Sequence, residues 1–386
     1  MTRLGSILLY FLTAAGTCAM AYGVQPYEPG EARWVCGRRT KKSFRNRLLI
    51  AGIFTILFAL MALRFDVGND YRQYTETAHE AYVGGYVVTE VGFNWTVRLL
   101  YGIAGGECYE LVFAAFAFAT LLFFFQAFAR QSVRFAQSFF LFMTLGLYFQ
   151  TFNTVRYYLA LSVALFSMKY VLEKDYLKFV FWILTAALFH KSVLLVLPVY
   201  WIATFAWSRW QLAAGLAVSA VCFLGRGLIL KLALMLYPSY RDTVYLEGGG
   251  SWGSVLRTGM VLGLYVWFVR AHGGTSARDL SEKHSWYREL RFYAQLHLLA
   301  LVTGTFFSFL PVVTRISYYF SVSQLFMIPL LVCHIEGEKR RRQAAALIAV
   351  VCLIYFCVFL LQAHQEGVRL LPYRSWLFDT QRYTYK

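Results

Sequence analysis

The chain has 386 residues, of which 59% are hydrophobic and only 15% charged, against about half and about a quarter in a soluble domain. With a mean hydropathy of +0.51, an ordinary soluble enzyme is excluded and a multi-pass membrane protein is expected. The net charge of +17 would suggest nucleic acid in a soluble protein. Here basic cytoplasmic loops account for it, no nucleic-acid partner is expected, and membrane lipids or a lipid-linked phosphate fit the charge.

A spanning helix needs about 20 apolar residues, within roughly 17 to 25. In chain order the apolar runs lie at about 5–22, 47–63, 108–128, 138–153, 155–172, 177–190, 191–206, 210–225, 255–270, 291–309, 315–334 and 344–362. They predict an all-α polytopic protein of about twelve transmembrane helices, a single transmembrane domain over 1–386. The first run follows a lone Arg3 with no convincing cleavage site, so it reads as a span rather than a removed signal. The join at His190 can also be read as one long helix, which would invert the orientation of everything downstream.

Charge sets the orientation. The loop 33–47 carries Arg33, Arg38, Arg39, Lys41, Lys42, Arg45 and Arg47 and no acid, which makes it cytoplasmic. The twelve-span topology then puts the other basic loops inside as well. It puts both termini, the loops at about 64–107 and 226–254, and the tail 363–386 outside. A short apolar segment near 91–104 must not cross if that pattern holds. It is expected to form a re-entrant or interfacial helix, tolerated where protein or a water-filled cavity covers its backbone ends. The seven cysteines form no CxxC pair and no Cys/His cluster, so neither a disulfide framework nor a metal site is expected.

Several polar groups interrupt this apolar chain. The knot RFDVGNDYRQY directly follows the second span and supplies Arg64, Asp66, Asp70, Tyr71, Arg72 and Tyr74. Its plain reading is a loop start, with Asn69 or Asp70 capping a helix. Glu90 precedes the segment near 91–104. Asn153 and Arg156 break two long apolar runs; a fixed guanidinium suits bidentate phosphate recognition, while an interfacial anchor is the plain alternative. His190 and Lys191 stand between two further runs as a base and a second cation, or as a polar turn. Arg315 and Tyr319 lie at another span end, where an arginine can also simply snorkel. Arg241, Tyr245 and the Pro372–Tyr373 pair complete the set. All of these fall on the outer face of the topology, which argues for one outward-facing polar cavity.

With these residues assembled, the chain resembles the EpsG family of bacterial exopolysaccharide proteins, which are Wzy-like polymerases. The resemblance rests on an ordered series of short motifs: R-x-x-x-G-x-D-Y-x-x-Y (Arg64, Gly68, Asp70, Tyr71, Tyr74), E-x-x-F (Glu90, Phe93), N-x-x-R (Asn153, Arg156), F-H-x-S (Phe189, His190, Ser192), R-x-x-x-Y (Arg241, Tyr245), R-x-S-x-Y-F (Arg315, Ser317, Tyr319, Phe320) and P-Y (Pro372, Tyr373). The chain departs from the usual pattern at Val91, Tyr157 and Lys191.

The resemblance implies a GT-C-like glycosyltransferase of the bacterial inner membrane that needs no metal or other cofactor. It would join oligosaccharide repeat units carried on undecaprenyl diphosphate, at the periplasmic or outer face. A chain-length regulator and a flippase of the same pathway would be its protein partners. In place of a metal, Arg156, Arg315, Arg64 and Lys191 or Arg241 would hold the diphosphate, where charge develops on the leaving group. Asp70 or His190 would accept the acceptor proton, with Asp70 ahead because a carboxylate beside cations stays ionised. Tyrosines and Trp95 would stack on sugars. Three other readings stay open: a flippase for the same lipid, which would need cations reachable from both faces; a membrane acyltransferase modifying exported glycans; and a non-catalytic assembly subunit.

Overall fold

The computed structural model describes residues 2–25, 35–36, 40–236, 252–271, 285–310, 313–365 and 368–378. Among the described residues there are helices and no strand, with one isolated bridge between Arg64 and Ser375. The chain divides into two compact units.

The first unit comprises Met1–Lys169, Leu177–Lys191 and Glu336–Lys386. Its helices are α1 (Arg3–Tyr22), α2 (Lys41–Ala62), α3 (Tyr71–Val83), α4 (Val91–Ala104), α5 (Tyr109–Gln131), α6 (Phe135–Thr144), α7 (Leu147–Gln150), most of α8 (Val155–Leu172), α9 (Tyr176–Ala187) and the last helix, Glu338–Gln362. Thr2 and Thr40 start α1 and α2 by accepting from the backbone N–H groups of Gly5 and Ser43, which are donors left over at any helix start. On α1, Ser6, Tyr10, Ala14, Thr17 and Ala21 form one buried stripe at helical spacing. Leu4, Leu8 and Leu12 are exposed on the rest of that helix, as suits a surface facing lipid tails, which are as apolar as leucine.

Aromatic packing holds this unit together. Phe124, Phe125, Phe128, Phe135, Phe139 and Phe142 interlock between α5 and α6 with ring centroids 4.7 to 6.3 Å apart. Each such pair contributes about 0.5–1.5 kcal/mol beyond its buried area. The span expected at 138–153 is instead two helices, α6 and α7. The chain turns at Gly146, in a left-handed conformation at φ +72°, and a Cβ there would meet the Phe359 ring at 3.0 Å. A glycine leaves hydropathy almost untouched, so the break was invisible in the apolar pattern.

The second unit comprises Tyr170–Tyr176 and Ser192–Ile335. It holds α10 (Val196–Ile202), α11 (Arg209–Leu224), α12 (Arg226–Leu236), α13 (Trp252–Ala271), α14 (Ser285–Phe306), α15 (Val313–Ser321) and α16 (Gln324–Cys333). Ser208 and Gln211 form a capping box at the start of α11. Helix α14 packs against α11, α13, α15 and α16. His297 on it meets the Ser323 hydroxyl at 3.1 Å, and its Ala300 carbonyl accepts from Ser317 at 3.2 Å.

Among the described residues, six helical segments are long and apolar enough to cross a membrane: α1, α2, α5, α8, Val313–Cys333 and Glu338–Gln362. The number is seven if α11 and α12, bent by 80°, make one span. This is a membrane protein. The run near 91–104 is a helix, α4, as expected. Around His190 the chain forms α9, then a short 3-10 turn over Lys191–Leu195, then α10, so the continuous long helix is excluded there.

Candidate functional site

The first unit builds a polar cluster from the loop after α2, the start of α4, the start of α8 and the end of α9. Arg64 forms its base. The residue is 1% exposed, and its head donates to the carbonyls of Met61 at 2.6 Å, Val67 at 3.3 Å and Phe152 at 3.4 Å. The rings of Phe113, Phe152 and Tyr71 surround it, with centroids 4.9, 5.3 and 6.0 Å from the guanidinium carbon. Burial pushes this guanidinium down to about 10, which leaves it charged at neutral pH. Expected as a phosphate ligand, Arg64 here fastens three chain segments beneath the cluster.

The loop closes around that anchor. Gly68 has φ +106°, and a Cβ on it would lie 2.3 Å from the Phe152 carbonyl oxygen. Gly68→Ala is therefore expected to destabilise the protein by about 1–3 kcal/mol, read as a lower unfolding temperature in detergent; an unchanged temperature would mean the loop and residue 152 are not in contact. Asp66 has φ +50°, a strained setting for a residue with a side chain. The fork of Arg72 (3.0 and 2.7 Å) and Arg369 (3.4 Å) hold its carboxylate.

The segment after the last helix lies across the same loop. Gly68 N–H donates to Arg369 O and Phe65 N–H to Arg374 O, both at 2.9 Å. Tyr373, from the P-Y pair, is 6% exposed and donates its hydroxyl to Leu60 O at 3.0 Å. Burial pushes that hydroxyl up to about 12, so it stays a donor. Tyr71 is buried too, stacked on Phe113 at 4.4 Å. Both tyrosines were expected to touch substrate; the structure gives them packing positions.

Asp70 precedes α3 in the cap position, yet its side chain makes no cap bond. Its carboxylate instead accepts from the Thr154 hydroxyl at 2.7 Å and from Asn69 Nδ2 at 3.4 Å. The Asn69 backbone N–H donates to Asn153 Oδ1 at 2.9 Å. Asn153 and Thr154 thus tie the knot to the turn that opens α8.

Arg156 lies one helical step further on. It is ion-paired with Glu90, and both side chains are largely buried, 17% and 15% exposed. Its Nε donates to the Tyr74 hydroxyl at 3.4 Å, and its head stands 5.5 Å from the ring centres of Tyr74 and Phe93. The other oxygen of Glu90 accepts from the Lys191 backbone N–H at 3.1 Å. One carboxylate therefore fixes the start of α8 and the turn after α9 together. His190, half-buried, sets its ring against Tyr157 with centroids 5.4 Å apart, and Lys191 is exposed.

In the second unit, Arg315 is half-buried on α15. Tyr319, one turn on, is buried; its hydroxyl pairs with Ser192 at 3.1 Å and its carbonyl accepts from Tyr200 at 2.6 Å. Arg241 and Tyr245 lie outside the described residues. Among the described residues, no three His, Cys, Asp or Glu side chains group as metal ligands would. A groove of about 740 Å³ on α13, lined by Gly259, Gly263, Val266, Trp267 and neighbours, contains none of the candidate residues.

Chemically, the cluster offers a carboxylate that can accept a proton at Asp70 and a guanidinium held by a carboxylate and two rings at Arg156. Thr154 and Arg156 stand on the same turn and link the two. The sequence marks Asp70, Glu90, Asn153 and Arg156 as candidates, and Asp66 and Arg72 as members of the same polar knot without a role of their own. Nothing in it marks Arg369.

A family model described as the EpsG family matches residues 47–375. No curated protein matches the chain, and no solved structure does.

Proposed function

The chain belongs to the EpsG family, a family of exopolysaccharide-related membrane proteins, and on that premise we propose that it is a polysaccharide polymerase of the Wzy-like, GT-C type. It joins repeat units carried on undecaprenyl diphosphate at the outer face of the bacterial inner membrane, within the twelve-span topology read from the basic loops. The observation that carries this reading is the cluster of Asp70, Thr154, Arg156, Glu90 and Tyr74, drawn from three separate segments and including four of the family's motif residues.

The reaction needs two things at one place. An acceptor hydroxyl must lose its proton as its oxygen bonds to the anomeric carbon of the donor sugar. The bond from that carbon to the phosphate oxygen breaks, and the lipid diphosphate leaves with the electron pair. Arg156 is the group suited to the leaving diphosphate, since a preoriented cation acts where charge develops. Glu90 and the two rings hold it aimed. Lys191 is the further cation of this unit. Asp70 is the proton acceptor we favour and His190 the alternative. Asp70 makes no cap bond, and Thr154 and Asn69 orient it.

Purified protein in proteoliposomes, given lipid-diphosphate-linked repeat units, is expected to yield glycans of two and more repeats and one released lipid diphosphate per bond formed, with chelator present or absent. Repeats moved across the bilayer at unchanged length would instead make it a transporter, and acyl groups gained by the glycan would make it an acyltransferase. In the same assay Asp70→Asn is expected to lower kcat on the order of 10²-fold or more with little change in KM. If His190→Gln does so and Asp70→Asn does not, the proton goes to the histidine.

A further inference from the structure

Helix α4 carries an apolar stripe that nothing in the first unit covers. Phe93, Val97 and Tyr101 are buried on its inner side, where it packs on α3 and α5. On the other side Val91, Trp95, Leu99 and Ile103 recur every four residues and are 65%, 73%, 62% and 72% exposed. Arg98 lies between them in sequence, but its Nε donates to Ala81 O at 2.9 Å, toward α3. The stripe therefore stays free of that charge.

This stripe continues another. On α9 and the turn after it, Leu177, Phe181, Leu184 and Leu188 are exposed at spacings of four, three and four. The two helices are joined where the stripes meet, because the Gly92 N–H donates to Leu188 O at 2.8 Å. The continuous apolar face thus runs from α9 onto α4. It passes Glu90, which immediately precedes Val91 and is paired with Arg156.

We propose that the α4 stripe is the binding track for the polyisoprenyl tail of the lipid diphosphate whose head the Arg156 cluster receives. This rests on the polymerase reading for the identity of the head group. A diphosphate at Arg156 puts its first isoprene unit beside Val91. From there α4, 14 residues long or about 21 Å, gives several units an unbroken apolar surface of Trp95, Leu99 and Ile103. The continuous α9 face supplies the entry from the bilayer. A single long isoprenoid chain fits four side chains in a row on one helix face, whereas a two-tailed phospholipid has no reason to prefer a track that begins at a buried ion pair.

The test uses the full chain in nanodiscs with p-benzoylphenylalanine in place of Trp95, and separately in place of Leu353, an exposed residue of the last helix. Irradiation with a radiolabelled long-chain polyprenyl diphosphate is expected to label position 95. A roughly tenfold excess of unlabelled polyprenyl diphosphate should reduce that labelling about tenfold by competing for the same site, and the same excess of phospholipid should not. Labelling at 353 should respond to neither. Labelling of phospholipid alone at 95, or competition no better than at 353, would overturn the proposal and leave α4 as an interfacial anchor. In the elongation assay, Leu99→Asp and Ile103→Asp should each raise KM about tenfold for a long-tailed substrate, since each removes apolar contact of that size. They should leave a short-tailed analogue unchanged; equal effects on both would also overturn the track. Competed labelling without elongation would sink the polymerase reading and keep the tail site; elongation without competed labelling would do the reverse.

Discussion

Arg156→Ala is expected to abolish elongation, with a loss on the order of 10²- to 10³-fold or more, while the protein still inserts and can be purified. The substitution alone is ambiguous, because it also leaves Glu90 largely buried without its cation, and an unpaired buried charge destabilises by itself. The double variant Arg156→Ala/Glu90→Ala removes that ambiguity. If Arg156 served only to neutralise Glu90, the double variant would recover much of the activity, since the stranded charge is gone. If the guanidinium receives the diphosphate, the double variant stays as inactive as the single one while its unfolding temperature rises. Arg156→Lys keeps the charge but loses the planar fork, so it should remain strongly impaired. Full activity in any variant lacking the guanidinium would reduce Arg156 to a structural cation.

Arg64→Met carries the largest expected cost in stability, about 3–5 kcal/mol from three carbonyls left without their donor. Methionine fills much of the volume among Phe113, Phe152 and Tyr71 but donates nothing. The carbonyls of Met61, Val67 and Phe152 then lose the guanidinium as a donor, in an interior where an unpaired carbonyl costs about 1–3 kcal/mol. Because one of those carbonyls belongs to the turn before Asn153, the knot and the start of α8 should separate together. Thermal unfolding and protease sensitivity of the loop after α2 read this directly. A near-wild-type unfolding temperature combined with lost substrate binding would show that Arg64 acts on the substrate instead.

Much of this architecture was legible as hydropathy. The run at 108–128 is α5 at Tyr109–Gln131, the run at 155–172 is α8 at Val155–Leu172, and 344–362 lies within Glu338–Gln362. A long apolar segment has few alternatives to a helix that satisfies its own backbone. A break with no polar residue was harder to see: Gly146 barely changes the local hydropathy, whereas His190 and Lys191 mark the break between α9 and α10. The ambiguity at His190 was real in the sequence, and it is the backbone of residues 188–195 that resolves it.

The cluster was legible by residue type, because charged and amide groups are rare in so apolar a chain. Its pairings were not. Asp70 meets Thr154 across 84 residues, Glu90 meets Arg156 across 66, and Asp66 meets Arg369 across 303. One sequence contains no signal of such partners. For the same reason the four residues read as outer-face that turned inward, Arg64, Tyr71, Tyr319 and Tyr373, looked no different from those that stayed in the cluster. Burial depends on what packs around a side chain, and the rings that enclose Arg64 come from α3, α5 and the turn before α8.

Whether the Arg156 cluster grips the diphosphate of the lipid donor can be seen in the structure of the protein in a nanodisc with bound polyprenyl-diphosphate-linked repeat unit. Phosphate oxygens are expected within hydrogen-bond reach of the Arg156 guanidinium, with the Glu90 contact loosened or shared and a sugar hydroxyl at Asp70. A diphosphate bound elsewhere, with the Arg156–Glu90 pair closed and Asp70 remote from the sugars, would contradict it.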